Sequence, residues 1–105
     1  MSILEMLSSG KTGVVAQAVC FCVARGNPTS EEIAAIQELE NASNVTERIA
    51  GRPLSALLRA AVHILNNTPY TGTNVDISDM MIMLSDESNL KNMRETSKYK
   101  EICRQ

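Results

Sequence analysis

The chain has 105 residues, of which 44% are apolar, 21% charged and 3% aromatic, and its formal net charge is −2. This length suits one folded domain and excludes two, while the weak charge and the absence of Trp disfavour a nucleic-acid surface built on basic and stacking side chains. Medium-sized aliphatic side chains favour helix packing. We therefore predict an all-α fold, a compact bundle of five or six short helices in a single domain over residues 1–105.

The first predicted element is a short helix with Ser2 as its N-cap and Gly10 as its stop. The letters Gly10-Lys11-Thr12 that follow match the end of a phosphate-binding loop. A complete loop has another glycine five positions before Gly10, where this chain has Glu5, and it follows a strand rather than a helix. We therefore predict no nucleotide site and no cofactor here.

The apolar run from Val14 to Ala24 predicts a buried helix, although its β-branched residues leave a strand open. The run is shorter than the roughly 20 residues that cross a bilayer, so we expect no membrane span. Its Cys20 and Cys22, with Cys103, make an odd count that no signal sequence precedes, which predicts free thiols and a cytoplasmic location. One His and one Cys-x-Cys supply too few ligands for a metal site.

A capping box opens the next predicted helix, because Thr29 and Glu32 have the spacing at which each side chain bonds the other's backbone amide. A buried stripe of Ile33, Ile36 and Leu39 follows. A second, shorter helix is predicted to begin at Asn44 and to end at Gly51.

The strongest helical pattern follows Pro53, which suits a first turn, and we predict that Leu54 to Leu65 form the central helix. A short helix, a turn at Gly51 and this longer helix have the order of a helix-turn-helix, which makes a DNA-binding transcriptional regulator the alternative function. Glu47 stands where that motif favours a small residue, and the chain is acidic overall. The DNA-contacting residues of this alternative are Arg52, Ser55, Arg59 and His63.

After a turn-rich loop at residues 66–74, a short helix is predicted with Asp76 as its cap. A final polar helix over residues 85–105, capped by Ser85 or Ser88, has only a thin apolar edge, which favours loose docking or a bound partner. Met81 and Met83 cannot both face inward on the first of these helices together with its other apolar residues, Ile77, Met80 and Leu84. Part of the methionine surface is therefore expected to be exposed or covered by another chain.

No catalytic residue is predicted, because the sequence places no nucleophile beside its single histidine. The favoured function is that of a small, non-catalytic interaction or regulatory protein, of the accessory kind carried by phages, viruses or bacterial operons. It is expected to bind a protein partner and to form a homodimer through helix contacts. The predicted protein-binding residues are Met80, Met81, Met83, Met93 and Tyr99.

Overall fold

The computed structural model describes residues 1–42 and 47–103. The all-α prediction is confirmed, because helices make up most of these residues and a hairpin of two very short strands is the only sheet among them. The helices are α1 (Ile3–Leu7), α2 (Thr12–Arg25), α3 (Ser30–Ala42), α4 (Leu54–Leu65), α5 (Val75–Ser85), α6 (Glu87–Arg94) and α7 (Ser97–Cys103), and the strands are β1 (Arg48–Ile49) and β2 (Arg52–Pro53).

The core is built around α4, as its pattern predicted. This helix packs against α2, α3 and α5, and α1 closes the other end of the bundle against α2 and α3. Leu57 and Leu58 are fully buried, and the neighbouring Ala60 and Ala61 allow other helices to approach the α4 backbone closely. Residues 14–24, for which the sequence left both helix and strand open, lie within the helix α2. This helix is buried on most sides by helical neighbours.

The helix caps agree only in part with the sequence prediction. Ser2 caps α1 as predicted, and the capping box at residues 29–32 is present. However, Asn74 rather than Asp76 caps α5, and Asp86 rather than Ser85 or Ser88 caps α6. In both cases a residue with a short carboxamide or carboxylate side chain accepts a bond from the amide three positions later.

The helix predicted before Gly51 is wrong in its described part, since residues 48–53 form an antiparallel hairpin in which Ile49 pairs with Arg52. Ala50 and Gly51 both have positive φ, 53° and 78°, which is the geometry of a two-residue turn that matches strand twist. The predicted cap, Asn44, lies outside the described residues. The turn conformation therefore replaces the helix that a helix-turn-helix needs at this position.

The polar C-terminal segment forms two helices rather than one, which brings the described part of the chain to seven helices. The two helices are separated at Thr96, whose hydroxyl donates to the Met93 carbonyl and accepts from the Tyr99 amide. Both helices dock on α2. Arg94 Nε donates to the Ala24 carbonyl at 2.7 Å, and the Tyr99 ring meets Phe21 edge to face at 5.6 Å.

Within residues 1–42 and 47–103, none of the helices has both the length and the apolar character needed to cross a membrane.

Candidate interaction surface

An open groove lies where α5, α6 and the start of α7 cover one side of α2. Its floor includes Gly13, Ala16 and Cys20, which are three small residues spaced three and four positions apart on one face of α2. Because these side chains reach only a short way from the α2 backbone, the helices opposite leave a volume of about 620 Å³ unfilled.

The inside of the groove is apolar and its edge is polar. Met83 and Leu84 of α5 form one wall, and Leu90 and Met93 of α6 form the other. The polar residues of the lining are uncharged except for one lysine. They are Gln17, Asn89, Asn92, Thr96 and Lys98. Such a combination of apolar walls with a few polar groups at the rim is typical of a binding cleft.

The five predicted protein-binding residues occupy different environments. Met80 is only 2% exposed and belongs to the core, and Met81 is half-buried against it. Met83 is 38% exposed and lines the groove together with the half-buried Met93. Tyr99 is half-buried on α7 and packs against Phe21, which is itself part of the groove lining.

Two further apolar residues on α5 face the solvent and were missed by the sequence prediction. Val75 is 68% exposed and Ile82 is 70% exposed. They are seven positions apart, which places them on one face of the helix, two turns from each other. The sequence signal for this exposure was present, because five successive apolar residues at 80–84 cannot all lie on the buried face of one helix.

The cationic residues of the DNA-binding alternative are held by carboxylates. Arg52 bridges Asp76 and Asp79 of α5 at 2.8 and 2.9 Å. Arg59 is paired with Glu40 of α3 at 2.7 Å, and Ser55 is half-buried beside this region on α4. These ion pairs tie α4 to its neighbours instead of presenting an array of unpaired positive charges.

His63 is part of the end of α4. Its Nδ1 lies 3.1 Å from the Thr68 hydroxyl, which also donates to the His63 carbonyl at 3.3 Å. The imidazole meets the Tyr70 ring edge to face, and the Tyr70 hydroxyl accepts from the Asn74 amide. The contacts fasten the loop at residues 66–74 to α4 and connect it with the cap of α5.

Lys11 and Thr12 lie at the N-terminus of α2, directly after Gly10, whose φ is 74°. The segment joins α1 to α2, so a helix precedes it, as predicted, in place of the strand that a phosphate-binding loop requires. No side chain caps α2 at Lys11.

A buried polar cluster at the corner between α2 and α3 was also missed. The Glu32 carboxylate is paired with Arg25 and accepts from the Thr29 amide at 2.9 Å, and the Cys22 thiol lies 3.9 Å from it. The signal was the position of Glu32 four residues before the buried Ile36, on the inner side of α3.

The three thiols are unpaired and each has a raised pKa. Burial raises the pKa of Cys20 to about 11. Burial, together with the negative charge of Glu32, raises the pKa of Cys22 to about 12. At neutral pH these thiols are therefore protonated and weakly nucleophilic.

Among the described residues, no group of three or more His, Cys, Asp and Glu side chains is placed to hold a metal ion. The chain matches no protein-family model, no curated protein and no solved structure.

Proposed function

We propose that this chain is a non-catalytic interaction protein whose working surface is the groove together with the exposed residue Met83 of α5, which lines it. The observation that supports the proposal is an open apolar cleft whose lining includes an apolar side chain, that of Met83, with 38% of its surface exposed. Scattered exposed apolar residues are common on soluble proteins, whereas a concave apolar site with apolar residues beside it is typical of a binding surface.

The expected partner is another protein chain that inserts apolar side chains into the groove, and a second copy of this chain is included. Met83 and Met93 suit this role, because the unbranched thioether side chain adapts its shape to a bound group. The amides of Gln17, Asn89 and Asn92 at the rim would bond the partner's polar groups. The three free thiols support a place for this activity in the reducing cytoplasm.

Site-specific photo-cross-linking tests this function. A photoreactive phenylalanine in place of Met83 is expected to capture a discrete protein when the chain is made and illuminated in its own cells. The same group in place of Gln37, an exposed residue of α3 outside the groove, serves as the matched control. Equal labelling from both positions, or none from Met83, would remove the support for the groove as a protein-binding surface.

A further inference from the structure

Residues 87–103, which contain α6 and α7, are attached to the rest of the molecule by few buried groups. The structure describes this segment in full, and Cys103 is its one buried residue. Leu90, Met93 and Tyr99 are only half-buried. The central helix α4, in contrast, buries six of its twelve residues. A segment with few buried apolar contacts opens locally at a lower free energy than the core.

The groove separates part of this segment from α2. Leu90 and Met93 of α6 line one side, Gly13 and Ala16 of α2 form the floor, and about 620 Å³ between the lining residues is unfilled. Side chains beside such a space lack the dispersion contacts that close packing would supply. Movement of α6 away from α2 therefore breaks fewer contacts than the separation of two close-packed helices.

The contacts that hold the segment on α2 lie in the C-terminal half of α2. Arg94 Nε donates to the Ala24 carbonyl at 2.7 Å, and the Tyr99 ring meets the Phe21 ring edge to face at 5.6 Å. Arg94 is also paired with Glu87 at 3.4 Å, but this ion pair lies within the segment and is kept when the segment moves. A hydrogen bond and a ring contact thus fasten the segment at one end of α2.

The corner between α6 and α7 is held by bonds inside the segment. The Thr96 hydroxyl donates to the Met93 carbonyl at 2.8 Å and accepts from the Tyr99 amide at 3.2 Å. The Thr96 carbonyl accepts from the Lys100 amide at 3.1 Å. None of these three bonds involves α2, so they persist when the segment leaves it, and the two helices can move together.

A single residue, Asp86, connects α5 to this segment. It has extended backbone angles, φ −70° and ψ 116°, and its carboxylate caps α6 by accepting from the Asn89 amide at 3.1 Å. Rotation about φ of Asp86 turns the carboxylate together with α6, so the cap is retained. A residue between two elements that absorbs such a rotation is the usual form of a hinge.

We infer that residues 87–103 form an arm that opens from α2 as one unit about Asp86 and thereby sets the width of the groove. The inference goes beyond the proposed function, because the opening belongs to the single chain and needs no partner. The closed arm supplies the wall of Leu90 and Met93, and the open arm removes this wall and uncovers Phe21. A partner that contacts both walls would in turn hold the arm closed, since it binds only the closed form.

Hydrogen–deuterium exchange of the full chain, followed by mass spectrometry of its peptides, measures the opening. After correction for intrinsic rates, the amides of α6 and α7 are expected to exchange at least about 10-fold faster than those of α4. Urea should lower the free energy of opening less steeply for α6 and α7 than for α4, because opening of the arm exposes less surface than global unfolding.

Two substitutions test whether α6 and α7 open together. Arg94→Met, in α6, removes the bond to the Ala24 carbonyl, and Tyr99→Ala, in α7, removes the contact with the Phe21 ring. Each is expected to speed exchange about 10-fold in both helices, the effect of losing one charged hydrogen bond or one aromatic pair.

Each substitution has a matched control. Lys91→Met removes an exposed positive charge from α6 without touching the bond to Ala24, and Tyr99→Phe retains the ring that meets Phe21. Both controls should leave exchange within about 2-fold of wild type.

The proposal is overturned if α6 and α7 exchange at the rate of α4, because the arm then opens only when the whole chain unfolds. It is also overturned if each substitution speeds only the helix that carries it, since the two helices then open separately. Wild-type α6 and α7 without any protection would contradict the closed arm, and equal effects of Lys91→Met and Arg94→Met would contradict its fastening at Ala24.

Discussion

Glu32 is the one buried charged residue of residues 1–42 and 47–103, with 5% of its surface exposed. Burial raises the pKa of this carboxyl, but the hydrogen bonds from Arg25 and Thr29 outweigh burial and hold the pKa below its usual value. The partners come from both sides of the corner at residues 26–29. The ionised carboxylate therefore fixes how α3 leaves α2.

The substitution Glu32→Gln is expected to lower the free energy of unfolding by about 3 kcal/mol, because the Arg25 guanidinium loses its anion in a partly buried site. Urea denaturation measures this change. Glu31→Gln, on the exposed side of the same helix turn, is the matched control and should stay within about 0.5 kcal/mol of wild type. Equal effects of the two substitutions would show that Glu32 contributes no more than a surface carboxylate.

The pH dependence of stability follows from the same residue. The pKa of Glu32 in the folded chain is lowered from its usual 4.5, so its contribution is fully present above pH 4.5 and is lost as pH falls through the folded value. Urea titrations at a series of pH values should therefore show the difference between wild type and Glu32→Gln shrinking below pH 4.5. A difference that grows on acidification would contradict this sign.

At the scale of elements, the hairpin of β1 and β2 decides how the chain enters α4. Ala50 and Gly51 adopt left-handed conformations, and the Leu54 amide then donates to the Glu47 carbonyl at 2.9 Å. Arg52 extends the arrangement by bridging two carboxylates of α5. The two-residue turn at Ala50 and Gly51 thereby positions the hairpin relative to α4 and α5.

Gly51 and Gly13 differ in backbone conformation but both have space for a side chain, so the effect of φ on stability can be measured apart from steric effects. A Cβ meets no atom within 4 Å at Gly51 or at Gly13, but Gly51 has φ of 78° whereas the φ of Gly13 is not positive. Gly51→Ala is expected to destabilise the chain by about 1 kcal/mol, and Gly13→Ala to stabilise it by about 0.5 kcal/mol. Thermal unfolding of both variants measures the opposite signs. The same sign for both would mean that φ does not control these positions.

At the scale of the whole molecule, the helices hold all three thiols in a poorly reactive state. The pKa of Cys20 rises from 9.0 to about 11, which at fixed pH lowers its thiolate fraction about 100-fold. Reaction of Cys20 with a disulfide reagent at pH 7.5 is therefore expected to be about 100-fold slower in the folded chain than in the chain unfolded by urea. Rapid modification of one thiol in the folded state would contradict this packing.

The groove is likewise a property of the assembled bundle. Small residues on one face of α2 leave space only because α5 and α6 stand opposite them. Binding of a partner chain would bury the apolar surface that the groove leaves open, which would lower the free energy of the complex.

Local periodicity and short-range hydrogen bonds were enough to predict the fold class, the central helix at residues 54–65, the N-cap at Ser2 and the capping box at Thr29. These features depend on side chains within four positions of each other, so the sequence contains their full cause. The predicted exposure of part of the methionine segment has the same origin, since one helix cannot bury every apolar residue between 80 and 84.

Contacts between distant segments decided the rest. The burial of Glu32 depends on Arg25 across a corner, and the exposure of Ile82 depends on which face of α5 meets α4. The groove exists because two helices more than sixty residues along the chain from Gly13 pack beside it. The pairing of helix faces sets which side chains are enclosed, and only the tertiary structure contains that pairing.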